Sequence, residues 1–287
     1  MIEIDRDWLA ANKLPQPGPD TDKNKRGHVL AAGGSLQVPG ALRLTGEAAF
    51  RAGAGKVQLV GPEARLLGMS MPEAAVFEAA VNDAGELSGD AGAAIAGLLG
   101  RCGACVIGPG MGAEADTGAI LDAVLAHPRG DLALVLDAAM IGEAGKRAEA
   151  LRRWSGRLVL TPHPGEMALL MDCDEEDASP ELAAEAAARF DAVVVLKTSQ
   201  TWVAQRGEPV LHYAGGGPGL ATGGSGDVLA GVIAGLLARG AAPRVAAAWG
   251  VWLHGEAGQV LAERVGPLGF LGRELPGEVP GLMASVS

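Results

Sequence analysis

The stretch Gly219-Leu220-Ala221-Thr222-Gly223-Gly224-Ser225-Gly226-Asp227-Val228-Leu229-Ala230-Gly231, GLATGGSGDVLAG, places a carboxylate at the end of a glycine run where an apolar helix begins. A glycine-rich turn that enters a helix leaves backbone N–H groups unpaired and pointing outward, which suits an anion such as phosphate. Asp227 would be repelled by that anion, so its presence points to chemistry as well as binding. Downstream, Val228, Leu229, Val232, Ile233, Leu236 and Leu237 form one helical stripe, while Ala230, Gly231, Ala234, Gly235 and Ala238 form a small-residue face that permits close packing. This pattern predicts a buried, rigid helix whose N-terminus is a fixed point. Amides of Gly224, Ser225 and Gly226 would meet charge developing on a transferring phosphoryl group. Asp227 would accept the proton of an attacking hydroxyl.

Upstream, short apolar runs without alternation recur at residues 28–32, 56–60, 104–107, 132–136, 157–160 and 192–196. Such runs suit strands covered on both faces. Alanine-rich segments of helical length lie between them at 40–52, 114–126, 146–154 and 180–189. The alternation predicts an α/β fold with a mostly parallel sheet and helices on both sides. A more polar pair, 201–204 and 209–212, reads as a hairpin at a sheet edge, and helices are expected from 225 to 238 and from 244 to 263. No composition break divides the chain, so residues 1–287 are expected to form one domain, with an irregular lead-in over 1–24 and a tail of short helices over 267–287.

In open parallel sheets, ligands bind beyond the carboxyl ends of the strands. Six polar or glycine-rich exits follow the strands here and would converge on one rim. They include Gly33-Gly34-Ser35 with Pro39-Gly40-Ala41, Gly108-Pro109-Gly110-Met111-Gly112, Asp137, Thr161-Pro162-His163-Pro164-Gly165-Glu166, and Lys197-Thr198-Ser199. Each has a plain reading too. Glycines after strands make turns, Asp137 can cap a helix, His163 can fill a rigid loop, and Glu166 can be a helix-start acid favoured by the dipole. No Walker pattern is present, since Gly55-Lys56 and Gly145-Lys146 lack both the upstream glycine and a following Ser or Thr.

A formal net charge of −11 argues against a nucleic-acid backbone or an anionic membrane as partner. Any phosphate must therefore be held mostly by backbone amides. The N-terminus carries Glu3, Asp5 and Asp7 and lacks the basic start of a signal peptide. The chain's longest apolar runs, such as Val228 to Ala238, are too short to span a bilayer. Three cysteines, Cys102, Cys105 and Cys173, make neither a paired framework nor a zinc set. A cytoplasmic, reducing location is expected.

TGGSGDVLAG resembles the anion-hole and catalytic-aspartate motif of the ribokinase-like superfamily, and LTPHPGEMALL (160–170) looks like the adenylate-side loop of one of its branches. Together with GGSLQVPGALRLTGEAAFRAGAGKVQL (33–59) and VIGPGMG (106–112), the set is similar to the NAD(P)H-hydrate dehydratases. The match runs from about Arg26 to about Glu263, and the order of the motifs is as specific as their content.

The resemblance implies a ribokinase-like three-layer α/β/α sandwich and a two-stage reaction. ADP phosphorylates the ring hydroxyl of the (S)-hydrate of NADH or NADPH, and phosphate is then eliminated, leaving AMP and phosphate. Carried over by position, Asp227 would be the base and Gly224, Ser225 and Gly226 the anion hole. Ala41, Gly110, Gly112, His163 and Asp227 would contact the hydrate. Lys197, Thr198, Ser199, Gln200, Thr201 and Gly226 would hold the adenylate, and Glu166 would hold Mg²⁺ through water. A homo-oligomer, a tetramer among its forms, and a separate epimerase are the partners implied. The sequence departs from the family at Ala139, where a second acid is usual, at Gly217 in place of Asn, and at Thr198 in place of Gly. A ribokinase-like kinase for a vitamin precursor shares the same aspartate and anion hole. A nucleotide-binding regulator would have lost one or the other.

Overall fold

The computed structural model describes residues 1–286, so Ser287, the end of the expected tail, lies outside the described residues. Ten strands form one sheet: β1 (Ile2–Glu3), β2 (His28–Ala32), β3 (Lys56–Gly61), β4 (Ala75–Glu78), β5 (Ala104–Ile107), β6 (Ala133–Leu136), β7 (Leu158–Leu160), β8 (Val193–Leu196), β9 (Thr201–Gln205) and β10 (Leu211–Tyr213). Their spatial order is β1-β10-β9-β8-β7-β6-β5-β2-β3-β4. All neighbours are parallel except β9, which runs against both β8 and β10. Strands β2, β3 and β4 progress one way from the centre and β5 through β8 the other. The topological switch point therefore lies between β2 and β5, where a ligand crevice is expected.

Successive residues of a strand point to opposite faces, and the central strands feed two hydrophobic layers. Val29, Ala31, Val106, Val135 and Val195 join the helices Gly40–Arg51, Ser225–Ala238 and Pro243–Arg264 on one face. Leu30, Cys105, Leu134, Leu160 and Val194 join Ala91–Leu98, Thr117–Leu125, Pro164–Met171 and Pro180–Phe190 on the other. The α/β/α layering follows from strands apolar at every position. The expected small-residue contact is also present. A Cβ added at Gly231 would stand 2.3 Å from Thr45 O, and one at Gly235 2.6 Å from Ala49 O. Only glycine lets the Ser225–Ala238 helix lie this close on the Gly40–Arg51 backbone, and that contact fixes where its N-terminus points.

Several elements differ from the sequence reading. The lead-in is not irregular throughout, because β1 pairs with β10 and a helix follows at Arg6–Ala11. Asp5 caps that helix through Trp8 N at 2.7 Å, and Leu9 is fully buried. The 201–213 hairpin is consequently one strand in from the edge. The helix expected over 146–154 is a five-residue turn, Ala148–Arg152, preceded by a separate helix at Ala139–Gly145. The tail holds a ten-residue helix, Leu275–Ala284, despite Pro280 within it. No helix of the described residues is long and apolar enough to cross a membrane.

Candidate active site

The strand exits do converge. At the switch point, Gly34 N donates to Pro109 O at 2.7 Å, joining the turn after β2 to the turn after β5. Ala41 lies under Gly110, where a Cβ would come within 2.5 Å of its methyl. One turn along the same helix, Leu44 sits against Gly224, whose Cβ would be 2.3 Å from Leu44 Cδ1. The Gly40–Arg51 helix therefore bridges the switch-point turns and the glycine run. Gly224 itself has φ of 87° and forms the left-handed N-cap of the Ser225–Ala238 helix, a conformation that favours glycine.

Of the three expected anion-hole amides, Gly224 N and Gly226 N have no backbone acceptor among the described residues, whereas Ser225 N donates to Thr222 O at 3.2 Å. Ser225 N is thus engaged in the turn. Its hydroxyl lies 2.9 Å from Nε2 of His254, and the same nitrogen lies 3.0 Å from Ser225 O. A carbonyl only accepts, so Nε2 carries the proton and donates to Ser225. Burial pushes the His254 ring down to about 4, the bond to Ser225 O opposes this, and Lys197 adds to the depression. A neutral His254 thus pins the start of the Ser225–Ala238 helix to the Pro243–Arg264 helix. The sequence reading missed it; a lone histidine in the apolar run Ala246–Leu253–His254 was the available signal.

Asp227 follows in the first helical turn, partly buried. Desolvation lifts its carboxyl to about 6, with Asp137 adding to the rise and Lys197 opposing it. The Lys197 ammonium is the hub of this charge cluster. Its Nζ lies 2.8 Å from Asp137 Oδ1 and 3.8 Å from Glu166 Oε2, and a Cβ at Gly226 would be 3.6 Å from it. Burial alone would pull Lys197 down, but Asp137, Glu166 and Asp227 together hold it above the usual lysine range. Asp137, almost fully buried, also accepts from Thr161 Oγ1 at 2.7 Å. Its sequence reading as a helix cap gives way to this pairing. The Lys197 ammonium thus lies beside the start of the Ser225–Ala238 helix.

A cavity of about 850 Å³ opens beside this cluster, lined by His163, Lys197, Thr198, Ser199, Thr201, Tyr213, Leu220, Gly226 and His254 among others. Gln200 is turned away, its Oε1 3.2 Å from His212 Nε2, so it does not join its neighbours at the wall. Thr198 bonds through its hydroxyl to Gln200 O and N, closing a local turn where the family pattern has glycine. Ala41, Gly110 and Gly112 lie outside this lining, on the switch-point side. Ala41 is only 2% exposed, and its methyl supports Gly110. Gly112 N donates to Glu86 Oε2 at 2.9 Å, a partner that sequence alone did not supply.

His163 and Glu166 form a reciprocal cap on the Pro164–Met171 helix. Nδ1 of His163 accepts from Glu166 N at 3.3 Å, and Glu166 Oε2 accepts from His163 N at 2.9 Å. The histidine is exposed at the cavity mouth and also stabilises its loop, which changes the expectation that it acts on ligand alone. His163→Ala is expected to cost about 1 kcal/mol of stability through the lost cap. Urea denaturation checks this, and an unchanged midpoint would return His163 to a purely ligand-facing role. Glu166 is held up by burial and by Asp137, with Lys197 opposing. No group of three or more His, Cys, Asp or Glu side chains among the described residues is placed to hold a metal ion by itself.

This arrangement, a partly buried carboxylate of raised affinity for protons beside free amides and an ammonium, is equipped to deprotonate a hydroxyl and stabilise a phosphoryl group. Comparison with known proteins gives the family. The ADP-dependent (S)-NAD(P)H-hydrate dehydratase of Xanthomonas campestris is 44% identical over 281 residues, covering 96% of this chain and 93% of its own. A bifunctional NAD(P)H-hydrate repair enzyme of Moorella thermoacetica is 36% identical over 96% of this chain and 52% of its own length. The ADP/ATP-dependent NAD(P)H-hydrate dehydratase of Bacillus subtilis, co-crystallised with ATP and Mg²⁺, superposes with a TM-score of 0.82 at 25% identity, covering 100% of this chain and 99% of that one. With residues 29–280 also matching the family model for NAD(P)H-hydrate dehydratase, the chain belongs to that family within the ribokinase-like fold.

Proposed function

We propose that this chain is a hydro-lyase that restores NADH and NADPH from their (S)-hydrates at the expense of ADP. The reading is carried by the carboxylate of Asp227, partly buried and lifted to about 6, at the head of the helix beside the free amides of Gly224 and Gly226. Asp227 takes the proton of the ring hydroxyl as its oxygen attacks the β-phosphorus of ADP, and AMP departs. Amides of Gly224 and Gly226 and the Lys197 ammonium meet the charge that grows on the transferred group. The phosphorylated carbon then loses phosphate as its C–O bond breaks, and a proton leaves the adjacent ring carbon, restoring the double bond. The net change is one hydrate and one ADP to NAD(P)H, AMP and phosphate.

The 850 Å³ cavity falls within the range of small-molecule sites and supports placement of ADP along Lys197, Ser199, Thr201 and Gly226. Backbone of Gly110 and Gly112, with His163 at the mouth, provides the hydrate side. Mg²⁺ fits this donor set only in company with the nucleotide, because Glu166 offers a single carboxylate and a bound magnesium commonly completes its shell with phosphates and water. When bound it would screen phosphate charge.

One domain carries the activity, a reading supported by the single sheet that links both layers. Three free cysteines fit a reducing cytoplasm. Exposed Leu66 and Met69 on the helix flanking edge strand β4 support self-association into a homo-oligomer. A site that takes the (S)-hydrate also needs a separate epimerase to recover the opposite hand.

ADP is expected to support turnover better than ATP and to yield AMP, in keeping with the name of the Xanthomonas campestris relative. Initial rates with each nucleotide at equal concentration, with products separated by chromatography, test the donor. Equal or faster rates with ATP would remove the donor assignment and spare the rest.

A further inference from the structure

The opposite, N-terminal end of the sheet holds a second cavity of about 610 Å³ that takes no part in this chemistry. Its walls carry three cations, Lys25, Arg26 and Arg239, in a chain whose net charge is −11. Arg239 Nη1 donates to Ala52 O and Nη2 to Pro15 O, each at 2.9 Å. Arg26 Nε and Nη2 donate to Gly53 O at 3.3 Å, and Lys25 Nζ donates to Asp20 O at 2.9 Å. These carbonyls satisfy some of the donors but do not neutralise the charge. Among the described residues none of the three cations forms an ion pair.

The electrostatics of the cavity are unbalanced. The two helix C-termini at Ala52 and Arg239 supply roughly half a negative charge each. Asp20 is the only acid in the lining, and it is exposed. Asp22, close by, spends its carboxylate on its own turn, accepting from Asn24 N and Lys25 N. Burial, and then repulsion from Arg26, both act against the charge on Arg239. Arg239 is half-buried without an ion-pair partner, and a guanidinium in that state is favoured when an anion fills the cavity, while Arg26 and Lys25 stand exposed at its rim. Arginine forks with free N–H groups are also the preferred partners of phosphate oxygens.

We infer that this cavity is a second anion site, for a small molecule bearing a diphosphate group, held by Arg26, Arg239 and Lys25. Three cations spaced around a cavity of this size suit two linked phosphoryl groups better than one. The site is separate from the anion hole. The helix that begins at Ser225 ends at Ala238, next to Arg239, so the two anion sites stand about 20 Å apart at opposite ends of one rigid element.

Isothermal titration of inorganic pyrophosphate into the full chain, already saturated with ADP, tests the inference. One pyrophosphate per chain is expected. Replacing Arg239 endangers the fold, since it also ties Pro15 and Ala52, so Arg26→Gln and Lys25→Gln carry the comparison. Each is expected to weaken pyrophosphate at least roughly tenfold, the scale of one charge-assisted hydrogen bond, with turnover of the hydrate unchanged. No binding to the ADP-saturated protein, or binding that both variants leave intact, would overturn the site.

Discussion

Asp227→Asn is expected to lower turnover of the hydrate by roughly 10²–10⁴-fold, the range for loss of a general base. Size and hydrogen bonding survive the change, so nucleotide binding is expected to hold or tighten as a negative charge beside the phosphates disappears. The same carboxyl sets the pH profile. Below its midpoint of about 6 the group is protonated and cannot accept the hydroxyl proton, so kcat/KM is expected to fall on an acid limb centred near that value. Stability gives an independent sign. A carboxyl whose midpoint is higher in the folded chain than in the unfolded one weakens the fold once it ionises, from the unfolded midpoint near 4 up through the folded one. Removing the charge should therefore leave the Asp227→Asn melting temperature at pH 7 equal or higher. A drop in melting temperature with near-normal turnover would identify Asp227 as a helix-start residue instead.

Lys197→Met carries the largest expected loss of stability, about 3–5 kcal/mol, because it strands Asp137 as a buried charge without its cation. The Asp137 side chain is 3% exposed and that of Lys197 20%, so solvent screens the pair little. Denaturant unfolding of the single variant and of the double variant Asp137→Asn with Lys197→Met separates the pair from mere loss of packing. The double variant is expected to recover much of the deficit. Loss of Lys197 also removes the charge that opposes the rise at Asp227, so the acid limb should move above 6. A single variant as stable as the parent, with the limb unmoved, would show that the ammonium does not organise this cluster.

The sheet's central strands were legible because each is apolar at successive positions and covered on both faces, which leaves few other readings for runs such as Val193–Leu196. The edge strand β4, Ala75–Glu78, was not, since it is half exposed and its residues carry no clear period. Strand β1 has two residues and exists only through its pairing with β10. In the site, the glycine run and Asp227 could be read locally, because turn and helix start are contiguous. The pairing of Asp137 with Lys197 spans 60 residues and is made by the parallel order of β6, β7 and β8. The cap shared by His163 and Glu166 was within reach of the sequence, since a helix-start proline with Glu at the third position signals reciprocal capping. His254 depended on the packing of two helices.

The most direct measurement is single-vessel turnover of hydrated NADH with the purified chain, ADP and Mg²⁺, following the return of dihydronicotinamide absorbance while AMP and phosphate are counted. NADH, AMP and phosphate are expected in equal amounts, and Asp227→Asn is expected nearly to abolish all three together. A phosphorylated product that accumulates without dihydronicotinamide, or NADH that returns without consumption of ADP, would contradict the mechanism.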